Sequence, residues 1–171
     1  LDTPTVRALG DYFGDPPAGV AAAVRTSSSV NFRAGLDLSE LTQTSVFDGV
    51  LHSRGWHAPL NNIQLGTIPV VSVLRGAVIG GGLELALATH IRVAEPAAFY
   101  ALPEGSRGIF VGGGASVRLP RLIGAHRMAD MMLTGRVLDA AAGLDLGISQ
   151  YLVGDGEGFD KALELANRIA E

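Results

Sequence analysis

Two glutamates in the 171-residue sequence stand out for their neighbours. Glu84 lies in Leu83-Glu84-Leu85-Ala86-Leu87-Ala88, a run apolar enough to be buried on most sides. Burial disfavours the ionised carboxylate and raises its pKa, which is the usual preparation of a general acid or base. Glu84 also falls in the first helical turn after Gly80-Gly81-Gly82. Unpaired backbone N–H groups and the helix dipole favour negative charge there. A tunable carboxyl group beside free amides is suited to stabilising an enolate. The competing reading is a structural glutamate that caps amides or pairs with an arginine. Glu104 closes the run Phe99-Tyr100-Ala101-Leu102-Pro103 and precedes a second glycine-rich loop, where a solvated carboxylate is the bland alternative.

Other chemistries fit the residues poorly. Gly76-Ala77-Val78-Ile79-Gly80-Gly81-Gly82 follows a strand-like run and opens a helix-like one, but its spacing is not G-x-G-x-x-G. Neither glycine-rich loop contains the Gly-Lys-Ser/Thr of a phosphate-binding P-loop. Glu104-Gly105-Ser106-Arg107-Gly108 is similar to a nucleophile elbow with glutamate in place of the first glycine, so Ser106 is not expected to be a nucleophile. His52, His57, His90 and His126 lack the i, i+4 pairing of a metal-binding helix, and no metal site is expected.

Composition narrows the setting. Cys 0 removes disulfide scaffolds, thiolate nucleophiles and Cys-ligated zinc, and makes a reducing, cytoplasmic compartment the expectation. Acidic residues outnumber basic ones, 17 against 13, for a formal charge of −4, which argues against a nucleic-acid binder. Arg75, Glu84, Arg92 and Glu95 interrupt the most hydrophobic region, so no membrane span is expected. The 23 glycines are about twice ordinary usage, and hydrophobic residues at 47% make them marks of close backbone approach rather than of a linker. With Leu1 in place of Met and an end at Glu171 inside a helical pattern, the sequence reads as part of a longer chain.

The elements that must position these residues follow from periodicity. Residues 68–74 form a continuous β-branched run, 75–82 a glycine turn and 83–88 a buried helix. Two short strands, 91–94 and 99–102, follow; 21–25 reads as another strand, with helix as the alternative for so many alanines. Residues 37–41 look like a helix start, and 42–64 read as a mobile helical or loop cover rather than core, because Gly49, Gly55 and Pro59 break it. Amphipathic helices are expected over 125–133, burying Met128, Met131 and Met132, and over 159–170, burying Phe159, Leu163, Ala166 and Ile169. Alternating strands and helices imply an α/β fold, and no composition break divides residues 1–171 into two domains.

Together these pieces resemble the crotonase, or enoyl-CoA hydratase/isomerase, family. Asn31-Phe32-Arg33-Ala34-Gly35-Leu36-Asp37-Leu38 looks like the family's F-x-A-G-x-D-L loop, and 76–84 looks like its G-x-x-x-G-G-G-x-E turn and helix. Leu102-Pro103-Glu104 is similar to the family's x-P-E and falls 20 residues after Glu84. Arg118-Leu119-Pro120-Arg121-Leu122-Ile123-Gly124 and Leu133-Thr134-Gly135-Arg136 match two further segments, so the resemblance runs the length of the sequence.

The resemblance implies a ββα spiral core lacking its first strand and its C-terminal trimerisation helices. It places oxyanion-hole amides at Arg33 and Gly81, and acid–base carboxyls at Glu84 and Glu104. It puts Ala34, Gly35, Leu36, Asp37, Leu38, Gly80, Pro103 and Gly112 against the substrate. It further implies an acyl-CoA substrate, no cofactor beyond that CoA, and a homotrimer or dimer of trimers. The implied reaction is hydration of a 2-enoyl-CoA; the alternatives are isomerisation, other crotonase chemistry, or a non-catalytic acyl-CoA-binding homologue. Two departures bear on the pocket: Arg33 stands where the family usually has a small residue, and Val111 where proline is frequent. Phe110 is placed to narrow the acyl pocket or favour a flat acyl group.

Overall fold

In the computed structural model, residues 1–35 and 45–171 are described. The first half of the chain runs α1 (Thr3–Gly14), β1 (Ala23–Arg25), α2 (Val46–Leu65), β2 (Val70–Leu74), β3 (Ala77–Ile79) and α3 (Gly81–Ala88). Then come β4 (Ile91–Ala94), β5 (Phe99–Ala101), a 3-10 turn (Gly105–Arg107), α4 (Ala115–Arg118) and α5 (Pro120–Ile123). The chain continues through α6 (Ala125–Thr134), β6 (Leu138–Asp139), α7 (Ala140–Asp145), β7 (Tyr151–Leu152) and α8 (Gly158–Ala170).

β2 is buried at each of its positions because it is covered on both faces, and it lies in a parallel sheet of order β1-β2-β4-β7. Side chains alternate across it. Val71 and Val73 join Val93 against Ala162, Leu165 and Ala166 of α8. Val70 and Leu74 join the larger core with Leu83, Leu85 and Tyr100. A second sheet, β3-β5-β6, pairs β3 parallel with β5 and β5 antiparallel with β6. A bridge from Arg33 to Val78 ties the segment after β1 onto β3.

Several elements differ from the sequence expectations. The 75–82 glycine turn contains β3, a strand of three residues whose pairing to Tyr100 and Arg33 comes from tertiary contact rather than local pattern. Residues 42–44 lie outside the described residues, and from Ser45 on the expected loose cover is instead ordered: α2 is a 20-residue helix with a Ser45–Asp48 capping box, and it buries Trp56, Leu60 and Ile63. Pro59 is accommodated where α1 crosses, since a Cβ on Gly10 would meet its ring at 2.9 Å. α1 is an element that the apolar pattern does not announce, although Asp2 accepts from Thr5 N–H at 3.0 Å as its N-cap and Pro4 stands in its first turn. The helix start expected over 37–41 lies outside the described residues.

On α8 the expected face is rotated. Ala162, Leu165 and Ala166 are buried, whereas Phe159, Leu163 and Ile169 are 47%, 42% and 37% exposed. The rotation is fixed at the helix start, where Gly158 N–H donates to buried Glu95 Oε1 at 3.1 Å and lies too close to Val73 for any side chain. Among the described residues, no helix is long and apolar enough to cross a membrane.

Two glycine substitutions should separate packing from propensity. A Cβ on Gly143 of α7 would collide with the fully buried Tyr100 ring, so Gly143→Ala should destabilise by about 1–3 kcal/mol through overpacking. A Cβ on Gly55 of α2 meets nothing within 4 Å, so Gly55→Ala should stabilise by up to about 1 kcal/mol. Urea midpoints read both; a destabilised Gly55→Ala would contradict the helix through that position.

Candidate active site

Three elements meet where α3 begins. β3 delivers the chain to Gly80, whose φ of 52° and N–H bond to Ala101 O at 2.9 Å fix the helix start beside the end of β5. Glycine is needed at that turn for its backbone, and also for space, since a Cβ there would sit 2.5 Å from Glu104 Oε1. A Cβ on Gly82 would collide with the Arg33 carbonyl, so the 31–35 segment passes directly over the same helix start. Gly81 N–H, in the first turn of α3, has no intrahelical acceptor and no acceptor among the described residues.

Glu84 points out of this turn and is 4% exposed. Its Oε1 accepts from Gly113 N–H at 2.8 Å and from Ala115 N–H at 3.0 Å. Burial pushes its pKa up to about 7. The Ala115 amide pulls it back down, the nearby Glu104 charge raises it, and the Gly113 amide and Arg118 lower it. No cation pairs with Glu84 directly among the described residues. Arg118 instead donates through Nη1 to Gly113 O at 2.9 Å.

Glu104 follows β5 and Pro103 and is 7% exposed. Burial raises its pKa as well, against the lowering effects of its own backbone amide and of Arg107. Its Oε2 is buried without a hydrogen-bond partner among the described residues.

Both carboxyls and Gly81 line one cavity of about 740 Å³, walled by His52 and Trp56 of α2 and by Phe110. Its lining is mainly apolar, so an apolar group next to two proton-transfer groups is what it accommodates. Gly112 also lines it, and its carbonyl accepts from Ser53 Oγ at 2.8 Å. Ala34, Gly35, Gly80 and Pro103 lie together around an adjoining depression of about 40 Å³ that shares Glu104 with the cavity. Leu36, Asp37 and Leu38 lie outside the described residues.

The expectation for Arg33 needs correction. Its N–H donates to Ala77 O at 3.0 Å and its carbonyl accepts from Ile79 N–H at 3.1 Å, because the residue is bridged onto β3. An amide committed to that bridge is not free to bind a ligand. The next amide, on Ala34, has no acceptor among the described residues and borders the depression beside Glu104. Ser106 Oγ donates to Pro103 O at 2.8 Å within a local turn. Among the described residues, no group of three or more His, Asp or Glu could hold a metal ion. The Gly113 and Ala115 amides are not legible in the sequence, because nothing local shows which backbone groups a buried carboxyl will meet.

Comparison with known proteins places the chain in a family. The enoyl-CoA hydratase/isomerase family profile matches residues 5–171. Methylglutaconyl-CoA hydratase 1, mitochondrial, of Pyricularia oryzae is 39% identical over 150 residues, covering 85% of this chain and 42% of that protein. The fatty acid oxidation complex subunit alpha of Shewanella halifaxensis is 35% identical over 182 residues, covering 97% of this chain and 26% of that protein. The chain thus spans less than half the length of these two relatives. Among solved structures, a candidate enoyl-CoA hydratase from Rhodopseudomonas palustris superposes with a TM-score of 0.93 at 59% identity, covering 96% of this chain and 64% of that one. The enoyl-CoA hydratase of Bacillus anthracis superposes with a TM-score of 0.91 at 28% identity, covering 99% of this chain and 67% of that one. The fold is therefore that of crotonases, and the chain belongs to the enoyl-CoA hydratase/isomerase family.

Proposed function

We propose that this chain is the catalytic core of an enoyl-CoA hydratase, adding water across the C2–C3 double bond of a 2-enoyl-CoA to give a 3-hydroxyacyl-CoA. The observation that carries the reading is the pair of buried carboxyls, Glu84 and Glu104, facing one apolar cavity beside the open amides of α3. In this reading the thioester oxygen accepts from Gly81 N–H and Ala34 N–H, the latter replacing Arg33. As water attacks C3, the electron pair of the double bond moves to C2 and the thioester oxygen, and the two amides meet the developing enolate charge. Each such preorganised donor is worth about 2.7–4 kcal/mol.

The carboxyls divide the proton work. One accepts a proton from the attacking water and the other supplies a proton to C2, so that H and OH are added and nothing is lost. Two close carboxyls titrate as a unit, and the roles belong to the pair. Elevated proton affinity at both sites favours one proton held between them near neutral pH, which is the state this addition requires. CoA enters as part of the substrate, and the proposed steps use no metal or redox cofactor.

The direct test is loss of the conjugated enoyl-thioester absorbance with crotonyl-CoA, alongside 3-methylglutaconyl-CoA, the acyl group suggested by a relative's name. Hydration is expected; migration of the double bond without water uptake would make the chain an isomerase, and acyl-CoA binding without turnover would overturn the enzyme reading. Glu84→Gln and Glu104→Gln should each lower kcat by about 10²–10⁴-fold with the fold retained. Near-full activity in either variant would remove that residue from the mechanism.

The pH dependence follows from the same pair. Full protonation leaves no base and full ionisation leaves no acid, so kcat/KM should be bell-shaped with its alkaline limb near pH 7. Stability carries the opposite signature to an ordinary ion-paired carboxylate. A folded pKa near 7, above the usual 4.5, means that stability is greatest below the unfolded value and declines as pH rises towards 7. Glu84→Gln should therefore melt higher than the parent above pH 7, with the gap closing towards pH 4. A gap that is constant across this range would contradict the raised pKa.

A further inference from the structure

The Glu84 cradle is held from behind by α2. Gly112 C=O and Gly113 N–H belong to one peptide unit: its carbonyl accepts from Ser53 Oγ at 2.8 Å and its N–H donates to Glu84 Oε1 at 2.8 Å. The next carbonyl, Gly113 O, accepts from Arg118 Nη1 at 2.9 Å. The rest of the guanidinium is anchored on α2, with Nε donating to Gln64 Oε1 at 2.7 Å and Nη2 to Asn61 Oδ1 at 3.0 Å. Gly114, at φ 109°, makes room for this, because a Cβ there would collide with Nη1. One peptide further on, Ala115 N–H supplies the second bond to Glu84.

Arg118 is 7% exposed, and all three of its hydrogen-bond acceptors are neutral. Burying a cation without a hydrogen-bonded carboxylate is costly, and a well-packed apolar side chain would tie α4 to α2 at lower cost. The fork geometry of arginine does what an apolar residue cannot: it orients a carbonyl and two amide side chains at once. We propose that Arg118 is a positioning residue that locks the Gly112–Ala115 turn against α2 and so holds both amides on Glu84. Movement of the cavity wall is thereby transmitted to the carboxyl that the cavity contains.

The groups that bear on Glu84 are Glu104 after β5, Arg118 on α4, the Gly113 and Ala115 amides, and His52 and Arg54 of α2 on the shared cavity wall. Two variants separate charge from position. Arg118→Gln removes the cation and the tether. The double variant Asn61→Ala/Gln64→Ala keeps the cation but frees it, and it alters only the exposed Asn61 and half-buried Gln64. Glu84 is titrated by carboxyl ¹³C NMR, assigned through Glu84→Gln, with thermal melts alongside.

Losing aligned amides should raise the Glu84 midpoint, by roughly a unit in Arg118→Gln and by a smaller step of the same sign in the double variant. The kinetic arm rests on the hydratase reading: kcat for crotonyl-CoA should fall about tenfold in the double variant with KM within about twofold. If the double variant titrates within about 0.2 unit of the parent, the positioning role is wrong, whatever the melting temperature does and whether or not Arg118→Gln folds. If the parent hydrates no enoyl thioester, the function reading fails while the titration still decides this inference.

Discussion

The site depends on keeping one carboxyl group away from water. Full burial alone can raise a carboxyl pKa by up to about 3–5 units, whereas amides bonded to the anion lower it. At Glu84 burial wins, and the balance settles at about 7 rather than at either extreme. A direct ion pair would have pulled the value far down and left an inert carboxylate. With Arg118 committed to Gly113 O, Gln64 and Asn61, the cation acts on Glu84 only from a distance. The result is a group whose two protonation states are close in free energy at neutral pH, which is the condition for moving protons in both directions.

Close backbone approach makes this burial possible, and it explains the glycine excess better than flexibility does. Gly80 clears space for Glu104, Gly82 lets the Arg33 carbonyl pass over the start of α3, and Gly113 lies against Glu84 itself. In each case a methyl group would occupy space now filled by a carboxyl or carbonyl oxygen. The cavity is therefore shaped by absent side chains, and its polar equipment is largely main chain. Main-chain donors suit this purpose because the sheet and helix already fix their direction, so little reorganisation is needed when charge develops.

The same facts explain what is legible in the sequence and what is not. The β2 run and the apolar α3 are readable because continuous burial leaves a continuous apolar pattern. Glu84 is conspicuous as the one charge in such a segment, and Glu104 becomes so once the family spacing is seen. β3 is hidden because three residues carry no period, and its pairing depends on Arg33 and Tyr100, far away in the chain. That hidden bridge also decides which neighbouring amide is engaged: Arg33 N–H is bonded to Ala77 O, and the adjacent Ala34 N–H has no acceptor among the described residues. α8 reads as a helix with its face turned, because Phe159 and Leu163 are more hydrophobic than Ala162, yet small Ala162 is what lets the helix lie close on β2.

α2 is the least legible element for a related reason: it faces two environments. One side contributes Trp56, Leu60 and Ile63 to the core, while His52, Ser53 and Trp56 face the cavity, so neither a clean apolar stripe nor a clean polar face results. Gly49, Gly55 and Pro59 weaken its intrinsic propensity, and the helix is held instead by its capping box and by packing against α1 and α3. This divides the cavity wall into parts of unequal freedom. Trp56 is fixed by the core and cannot change without loss of stability, whereas Val50 and Phe110 line the same cavity and are 46% and 69% exposed. Replacement of a wall residue is therefore least destabilising at Val50 and Phe110, where it alters the cavity and leaves the core contacts of α2 intact.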